Sequence, residues 1–301
     1  MPSFPPHRPR APQTTPGTEG DAGIRPSRDP AAVLAGSTFG AGMLLLPPRL
    51  QRDARTLYKV LRTIDDLVDE QHTYAAQQVQ AVAEWAEGRP ADTPESQTLE
   101  RLCERHPISR AAVHGFCEGM QLDLEGTEIE TDADFERYCL LAGGTVGVML
   151  CGLLGTRHPD AEQKMERLGV AMQWTNILRD IDEDLANGRV YIPRSVIERF
   201  GFPYPGQREQ LLRDQIPQAD ACYVEGMTAI ALLEHGQRAI GISGTLYREI
   251  LRQIEREGYG RKPGRVSIPI GRKQHLIATY KTPVSARGRL STHVSRIDKG
   301  T

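Results

Sequence analysis

Residues 173–193 read QWTNILRDIDEDLANGRVYIP, a pattern typical of a helix followed by a tight turn. Polar side chains recur every three or four residues in its helical part, at Gln173, Asn176, Asp180 and Asp184. This spacing predicts that they share one face of the helix. The two aspartates are then one turn apart, roughly 6 Å along the axis at about 1.5 Å per residue. Oxygen atoms from both carboxylates can therefore reach the same hard cation.

A second pair of aspartates stands upstream, in the segment YKVLRTIDDLVDE at residues 58–70. Asp65 and Asp69 again have the spacing of one helical turn, and Tyr58 and Arg62 precede them on the same side. A buried apolar stripe with helical spacing is expected beside them, made of Leu50, Ala54, Leu57, Leu61, Ile64 and Val68. For a single acidic helix, a solvated face is the ordinary interpretation. Two such pairs beside apolar stripes instead favour a site for several divalent cations.

Ligation by carboxylates alone favours Mg²⁺, which keeps some of its waters and accepts phosphate oxygens as further ligands. A diphosphate substrate is therefore the natural partner of the two aspartate pairs. At residues 65–70 and 176–184 the chain resembles the squalene/phytoene synthase family, and further matches extend the resemblance from about Ser37 to Tyr259. The resemblance implies an all-α fold, a single-domain helical bundle of the isoprenoid-synthase type around a central cavity. The two motifs would lie on opposite walls of that cavity.

The resemblance also implies roles for individual residues. The residues expected to hold Mg²⁺ are Asp65, Asp69, Asp180 and Asp184. Those expected to act in catalysis are Arg62, Tyr138, Asp180 and Asp184. The expected substrate contacts are Phe39, Tyr58, Arg62, Gln173, Trp174, Asn176, Arg189 and Tyr191. Asp123 is a weaker candidate for the cavity wall, because a lone aspartate in a helix is more often solvated.

Three residues depart from the family pattern, one of them Gly40, which stands where a tyrosine is common. Ser37 stands where the family has a basic residue that assists a diphosphate, and Trp174 stands where the family usually has leucine. If Trp174 faces the cavity, its large indole is expected to limit the length of the prenyl chain. In the C-terminal segment, Arg261, Lys262 and Arg265 could reach the diphosphate end of the cavity.

Composition divides the 301 residues into three parts. Residues 1–29 have almost no aliphatic side chains and are expected to be a disordered leader. Residues 30–260 are expected to form the helical domain, and 261–301 a basic, flexible tail. Residues 259–301 hold ten Lys and Arg against one acidic residue. Because the chain has neither the apolar run of a secretion signal nor paired cysteine spacings, we expect a cytoplasmic protein with reduced cysteines.

Residues 138–156 carry no charge over 19 positions, close to the roughly 20 that span a bilayer. Five glycines, and a capping box that begins at Thr131, fit a helix packed inside a bundle at least as well. We therefore expect this segment to be buried core. Gly143, Gly144 and Gly147 are expected to leave room beside an isoprenoid chain.

The resemblance implies Mg²⁺-dependent, head-to-head condensation of two prenyl diphosphates through an allylic carbocation. One alternative is an aromatic prenyltransferase that alkylates an indole or carbazole, which Ser37 and Trp174 favour. A second is a non-catalytic scaffold, although nothing structural requires four carboxylates beside apolar walls. No nucleic-acid partner is expected, because the basic tail has few aromatic residues for base stacking. Contact with a membrane is expected to be peripheral at most.

Overall fold

The computed structural model describes residues 42–282, which form a bundle of α-helices with no strand in that range. The all-α prediction is confirmed. The leader predicted at 1–29, together with Ser37 and Phe39, lies outside the described residues. The helices are α1 (Pro48–Asp69), α2 (Ala75–Ala86), α3 (Pro94–Cys103), α4 (Arg110–Glu125), α5 (Asp132–Cys139), α6 (Thr145–Leu154), α7 (Ala161–Ala186), α8 (Arg194–Phe200), α9 (Glu209–Gly226), α10 (Gln237–Arg256) and α11 (Ile270–Thr279).

Several helices begin or end at residues whose local chemistry favours a boundary. Thr93 and Thr131 each accept a hydrogen bond from the backbone of the third helical residue, and that residue's side chain bonds back to complete a capping box. Pro48 occupies the first turn of α1, where its missing N–H costs no helical hydrogen bond. After α7, Gly188 adopts a φ of 76°, which only glycine takes readily. Local chemistry alone therefore fixes these boundaries.

Helix α9 differs from the prediction. The sequence predicts two helices, at 207–214 and 218–235, whereas α9 runs unbroken from Glu209 to Gly226 with Pro217 inside it. An interior proline removes one backbone hydrogen bond and costs about 3 kcal/mol. Burial of the apolar face of α9 outweighs that cost, because its core-facing residues include Leu211, Leu212, Ile216, Ala219 and Tyr223. A 3₁₀ turn, Met227–Leu232, completes the segment.

The uncharged segment lies in the core of the bundle. Helix α5 passes through a π-helical turn, Leu140–Gly144, directly into α6. By length and composition the combined helix Asp132–Leu154 could cross a membrane, but 67% of its most apolar window is buried inside the protein. This burial supports the core interpretation.

The glycines of this segment serve a different purpose from the one expected. A Cβ atom at Gly143 would lie 2.6 Å from the backbone oxygen of Gly169 in α7, and one at Gly147 would lie 2.1 Å from the backbone oxygen of Met165. These glycines therefore allow the segment and α7 to cross with their backbones in contact, and they do not make room for a ligand. The neighbouring Ala142 and Val146 are the ones that line the cavity.

We expect Gly169→Ala to lower the free energy of unfolding by about 1–3 kcal/mol, the usual cost of overpacking. A Cβ at this position would meet the backbone oxygen of Gly143 at 2.2 Å. Alanine normally stabilises a helix by about 1 kcal/mol relative to glycine. The close crossing is therefore expected to reverse the usual sign of the effect on stability. Urea denaturation measures the effect. The matched control is Gly271→Ala in α11, where a Cβ meets nothing within 4 Å. Equal stability of the two variants would contradict the close crossing.

The C-terminal part of the chain returns over the bundle. Helix α11 lies within the segment predicted to be a flexible tail, so that prediction does not hold for Ile270–Thr279. The helix buries no residue of its own and is tied down by an ion pair. Arg272 donates from Nε to the buried Glu249 of α10 at 2.8 Å, and Arg256 donates to the same carboxylate at 2.6 Å. The exact domain boundaries stay a prediction.

Candidate active site

A cavity of about 1520 Å³ opens between α1, α4, α7 and α10, with the C-terminal segment along its edge. Both aspartate pairs line it, one on α1 and the other on α7. Sequence motifs more than a hundred residues apart therefore meet in one space. The predicted site residues found in its lining are Tyr58, Arg62, Asp65, Asp69, Tyr138, Gln173, Asn176, Asp180, Asp184, Arg189 and Tyr191. Phe39 lies outside the described residues.

Arginines stand beside the acidic residues on each wall. On α1, Arg62 donates to Asp65 at 2.6 Å and forms an ion pair with Asp66, also at 2.6 Å. On α7, Arg179 donates from Nε to Asp180 at 2.8 Å. Arg189, just after α7, reaches across the cavity to pair with Asp69. The polar end of the cavity thus holds both carboxylates and guanidinium groups, the two kinds of group that bind a metal–diphosphate complex.

The carboxylates are placed where their negative charges disfavour one another. Burial raises the pKa of Asp65 to about 7, and the negative charge of the neighbouring Asp69 is the second cause. Burial, followed by the neighbouring Asp180, raises the pKa of Asp184 to about 7 as well. An aspartate in water has a pKa of about 3.9. A bound cation would relieve the repulsion between the two carboxylates of each pair.

The residues present fit Mg²⁺. The side-chain oxygen of Asn176 is buried without a hydrogen-bond partner among the described residues, while its amide donates to Gln173 at 3.4 Å. Such an unpaired oxygen beside carboxylates is a suitable donor to a hard cation. Within residues 42–282, no three acidic, histidine or cysteine side chains converge on one point. Mg²⁺ does not need such a cage, because it is usually bound by one or two carboxylates together with substrate phosphates.

Asp123 is more central than the sequence indicates. Its two oxygens accept hydrogen bonds from the hydroxyls of Tyr138 and Tyr191, each at 2.9 Å. The two tyrosine rings stack with centroids 5.1 Å apart. Arg189 donates to the Tyr191 hydroxyl at 3.3 Å, so the network continues to Asp69. Burial raises the pKa of Asp123. The Asp123 carboxylate therefore fixes both rings at the wall of the cavity.

Trp174 does not line the cavity, which corrects the expectation that it contacts the substrate. Its ring packs edge-on against Phe135 of α5, with centroids 4.9 Å apart and planes at 86°. It is 6% exposed and belongs to the hydrophobic core. The reason is rotation along the helix: Gln173 faces the cavity, and the next residue is turned about 100° away, toward α5.

Several further polar residues of the lining were assigned no role from the sequence, among them Arg179, Tyr247 and Lys273. Arg265 was named only as able to reach the diphosphate end of the cavity. Arg179 lies inside the second motif and could have been found there. Arg265 forms an ion pair with Asp180, with its Nε 2.9 Å from one carboxylate oxygen, and donates from Nη2 to the other oxygen at 3.5 Å. Tyr247 lies on an ordinary amphipathic helix, α10, and Lys273 comes from α11, so neither carries a local signal of a site.

Comparison with known proteins agrees with this arrangement. The family model for squalene/phytoene synthase matches residues 33–272. The phytoene synthase of Thermus thermophilus is 32% identical over 263 residues, which are 80% of this chain and 84% of the relative. The phytoene synthase of Rhodobacter capsulatus is 28% identical over 270 residues, which are 84% of this chain and 79% of the relative.

Solved structures show the same fold. A dehydrosqualene synthase in complex with a ligand aligns with a TM-score of 0.74 at 26% identity, over 83% of this chain and 93% of that one. Squalene synthase HpnC from Alicyclobacillus acidocaldarius aligns with a TM-score of 0.66 at 23% identity, over 77% of this chain and 94% of that one, a likeness of fold alone. The chain therefore belongs to the squalene/phytoene synthase family and is a prenyltransferase.

Proposed function

We propose that this enzyme condenses two prenyl diphosphates head to head and releases both diphosphates. The observation that carries the proposal is that two aspartate pairs, from α1 and α7, line one cavity together with apolar side chains, among them Leu61, Phe116 and Ile177. Relatives named phytoene synthase, and a structural neighbour named dehydrosqualene synthase, support the same reaction.

Mg²⁺ is the proposed cofactor. Asp65 and Asp69 on one wall, with Asp180 and Asp184 on the other, would hold it, and the unpaired oxygen of Asn176 is a further donor. When bound, Mg²⁺ would neutralise negative charge that develops on the leaving diphosphate.

The chain's own cationic residues contribute to the same step. Arg62, Arg179 and Arg265 lie beside the carboxylates and can donate hydrogen bonds to diphosphate oxygens. Such charge-assisted bonds are about twice as strong as neutral ones. They favour departure of the diphosphate when they strengthen as the allylic C–O bond breaks.

The apolar wall protects the carbocation that this cleavage produces. Water would trap an allylic cation, and the apolar side chains of Leu61, Phe116, Val146, Ile177 and Ile250 in the lining offer water no hydrogen-bonding group. Tyr138 and Tyr247 also line the cavity, and their ring faces can stabilise positive charge. The cation is then attacked by the double bond of a second prenyl diphosphate, and loss of a proton closes a cyclopropylcarbinyl diphosphate. Ionisation of this intermediate releases the second diphosphate, and rearrangement with loss of another proton gives the hydrocarbon.

The size of the cavity supports two substrates. Pockets for one drug-sized ligand measure about 300–1,000 Å³, and this cavity measures about 1520 Å³. The aromatic prenyltransferase alternative rested on Ser37 and Trp174. Since Trp174 packs in the core and Ser37 lies outside the described residues, no described residue now favours it. The scaffold alternative leaves unexplained why two carboxylates are held at unfavourable pKa values of about 7.

We also propose a cytoplasmic location, with at most peripheral membrane contact. All five cysteines are free thiols, and four of them are buried in the bundle. Such thiols persist most readily in a reducing compartment.

The stoichiometry of diphosphate release tests the reaction. We expect incubation with Mg²⁺ and prenyl diphosphates of 15 or 20 carbons to give a C30 or C40 hydrocarbon and two diphosphates for each hydrocarbon, with no other organic substrate. A parallel incubation contains a C5 or C10 prenyl diphosphate and indole. One diphosphate per prenylated indole, with no hydrocarbon from any prenyl diphosphate, would show that the aromatic alternative is correct.

A further inference from the structure

One acidic residue of the second motif takes no part in the cavity. Asp182 lies between Asp180 and Asp184 on α7 but is turned away from them and is absent from the lining. Instead, its two oxygens accept hydrogen bonds from Arg208, each at 2.7 Å. One of them also accepts the backbone N–H of Gly264 at 2.7 Å. Asp182, although part of the motif, therefore binds a segment that lies more than eighty residues later in the chain.

Arg208 holds the same segment from the other side. Its side chain is 5% exposed, and it also donates to the backbone oxygen of Pro203 at 3.4 Å. A Cβ atom on Gly260 would lie 2.2 Å from Nε of Arg208, so the Gly260 backbone rests directly on the guanidinium group. We call residues 258–268 the C-terminal strap. Asp182 and Arg208 together clamp it at Gly260 and Gly264.

The backbone of the strap takes positive φ angles at several residues. Tyr259, Gly260 and Gly264 have φ angles of 54°, 72° and 105°, values that chains adopt only under local constraint or at glycine. The residue that follows Gly264 is Arg265, whose Nε lies 2.9 Å from an oxygen of Asp180. The side chain of Arg265 is 54% exposed and has few other contacts to order it. The position of the Arg265 guanidinium group beside Asp180 therefore depends on the position of the strap backbone.

We propose that Asp182 is a positioning residue, which with Arg208 fixes the strap so that Arg265 is presented to the diphosphate of the substrate. The part of the proposal that concerns diphosphate rests on the proposed function, whereas the clamp itself does not. Ordering Arg265 before the substrate arrives removes a cost that binding would otherwise include. This gain in diphosphate affinity is lost when Asp182 and Arg208 no longer hold the strap.

The test compares Asp182→Ala with a matched control, Asp220→Ala. Asp220 also pairs with two arginines, Arg248 at 2.8 Å and Arg252 at 2.5 Å. Its side chain is 17% exposed, against 18% for Asp182, and none of these three control residues lines the cavity. The two variants therefore remove similar ion pairs, only one of which touches the strap.

Hydrogen exchange without any ligand measures the clamp. We expect Asp182→Ala to speed exchange in residues 259–268, including the Gly264 amide, and Asp220→Ala to leave that segment unchanged. Calorimetry with inorganic diphosphate and Mg²⁺ measures the consequence. We expect Asp182→Ala to weaken diphosphate binding about tenfold, the value of one hydrogen bond to a charged group, with the control unchanged.

A double-mutant cycle separates positioning from general damage. In an Arg265→Met background, Asp182→Ala should weaken diphosphate binding no further. The proposal would be overturned if the losses of diphosphate affinity in the two single variants added in the double variant. It would also be overturned if Asp182→Ala left hydrogen exchange in the strap unchanged. Asp182→Asn, which keeps an acceptor for Gly264 but loses the charge opposite Arg208, gives an intermediate loss and serves if the alanine variant does not fold. If the wild-type protein binds no diphosphate, the proposed function fails, while hydrogen exchange still decides whether the clamp exists.

Discussion

Asp180→Asn is expected to lower kcat for diphosphate release by about 10² or more, and Asp65→Asn to do the same. Each change removes one negative charge from a wall of the cavity while it keeps the size of the side chain. Arg179 and Arg265 both pair with Asp180, so that variant also leaves two guanidinium groups without their carboxylate. Cation binding then weakens at the point where charge develops on the leaving group.

Released diphosphate and hydrocarbon, followed over time with saturating substrate, measure the effect. Asp220→Asn is the control, because it breaks a carboxylate–arginine pair of similar exposure outside the cavity. Circular dichroism and the melting temperature should be close to wild type for all three variants. Full turnover by either cavity variant, or by wild-type protein in EDTA, would show that the reaction does not require the cation.

The helices were predictable from the sequence where one residue type determines a boundary. Thr131 begins α5 because its hydroxyl accepts a backbone N–H, and this interaction needs only neighbours within one turn. Helix α9 was predicted wrongly because the proline rule is also local. The face of α9 buried against α7 offsets the missing hydrogen bond of Pro217, and that contact cannot be read from the segment itself.

The site residues could be predicted where their spacing places them on one face of a helix. Asp65 and Asp69, or Asp180 and Asp184, must share a face at any rotation of their helix, and both pairs do line the cavity. Their roles in binding stay predictions. Trp174 was placed wrongly because adjacent residues on a helix point about 100° apart, and only the packing of α5 on α7 determines which of them meets the cavity.

The glycines and the strap show a different limit. Gly143 is small because a second backbone passes beside it, and the sequence does not say whether a ligand or a helix occupies that space. Arg265 reaches Asp180 because Asp182 and Arg208 hold the backbone of Gly264 and Gly260. Such contacts join distant parts of the chain, so no periodicity or motif within either part indicates them.

The affinity of the substrate-free protein for Mg²⁺ is expected to rise steeply up to about pH 7 and then level off. Asp65 and Asp184 each have a pKa of about 7, raised first by burial and then by a neighbouring aspartate. Below that pH the proton competes with the cation, so each carboxylate that must ionise makes affinity rise up to about tenfold per pH unit. Ordinary aspartates, with a pKa of about 3.9, would level off before pH 5. Calorimetric titration with MgCl₂ across this range measures the profile.

Proton release gives the same prediction a second readout. At pH 6.5 both carboxylates are largely protonated, so Mg²⁺ binding should release protons, which titrations in two buffers of different ionisation enthalpy count. Asp184→Asn should reduce that count and flatten the profile, since Asp65 alone remains to titrate, while Asp220→Asn should change neither. The pKa of each group is higher in the folded protein than in the unfolded chain, so their contribution to the stability of the metal-free fold is fully present below about pH 4, declines as pH rises from about 4 to 7 and is absent above about pH 7. Mg²⁺ should therefore raise the melting temperature more at pH 8 than at pH 5.5. An equal rise at both values, with no protons released, would show that these two carboxylates do not ligate the cation.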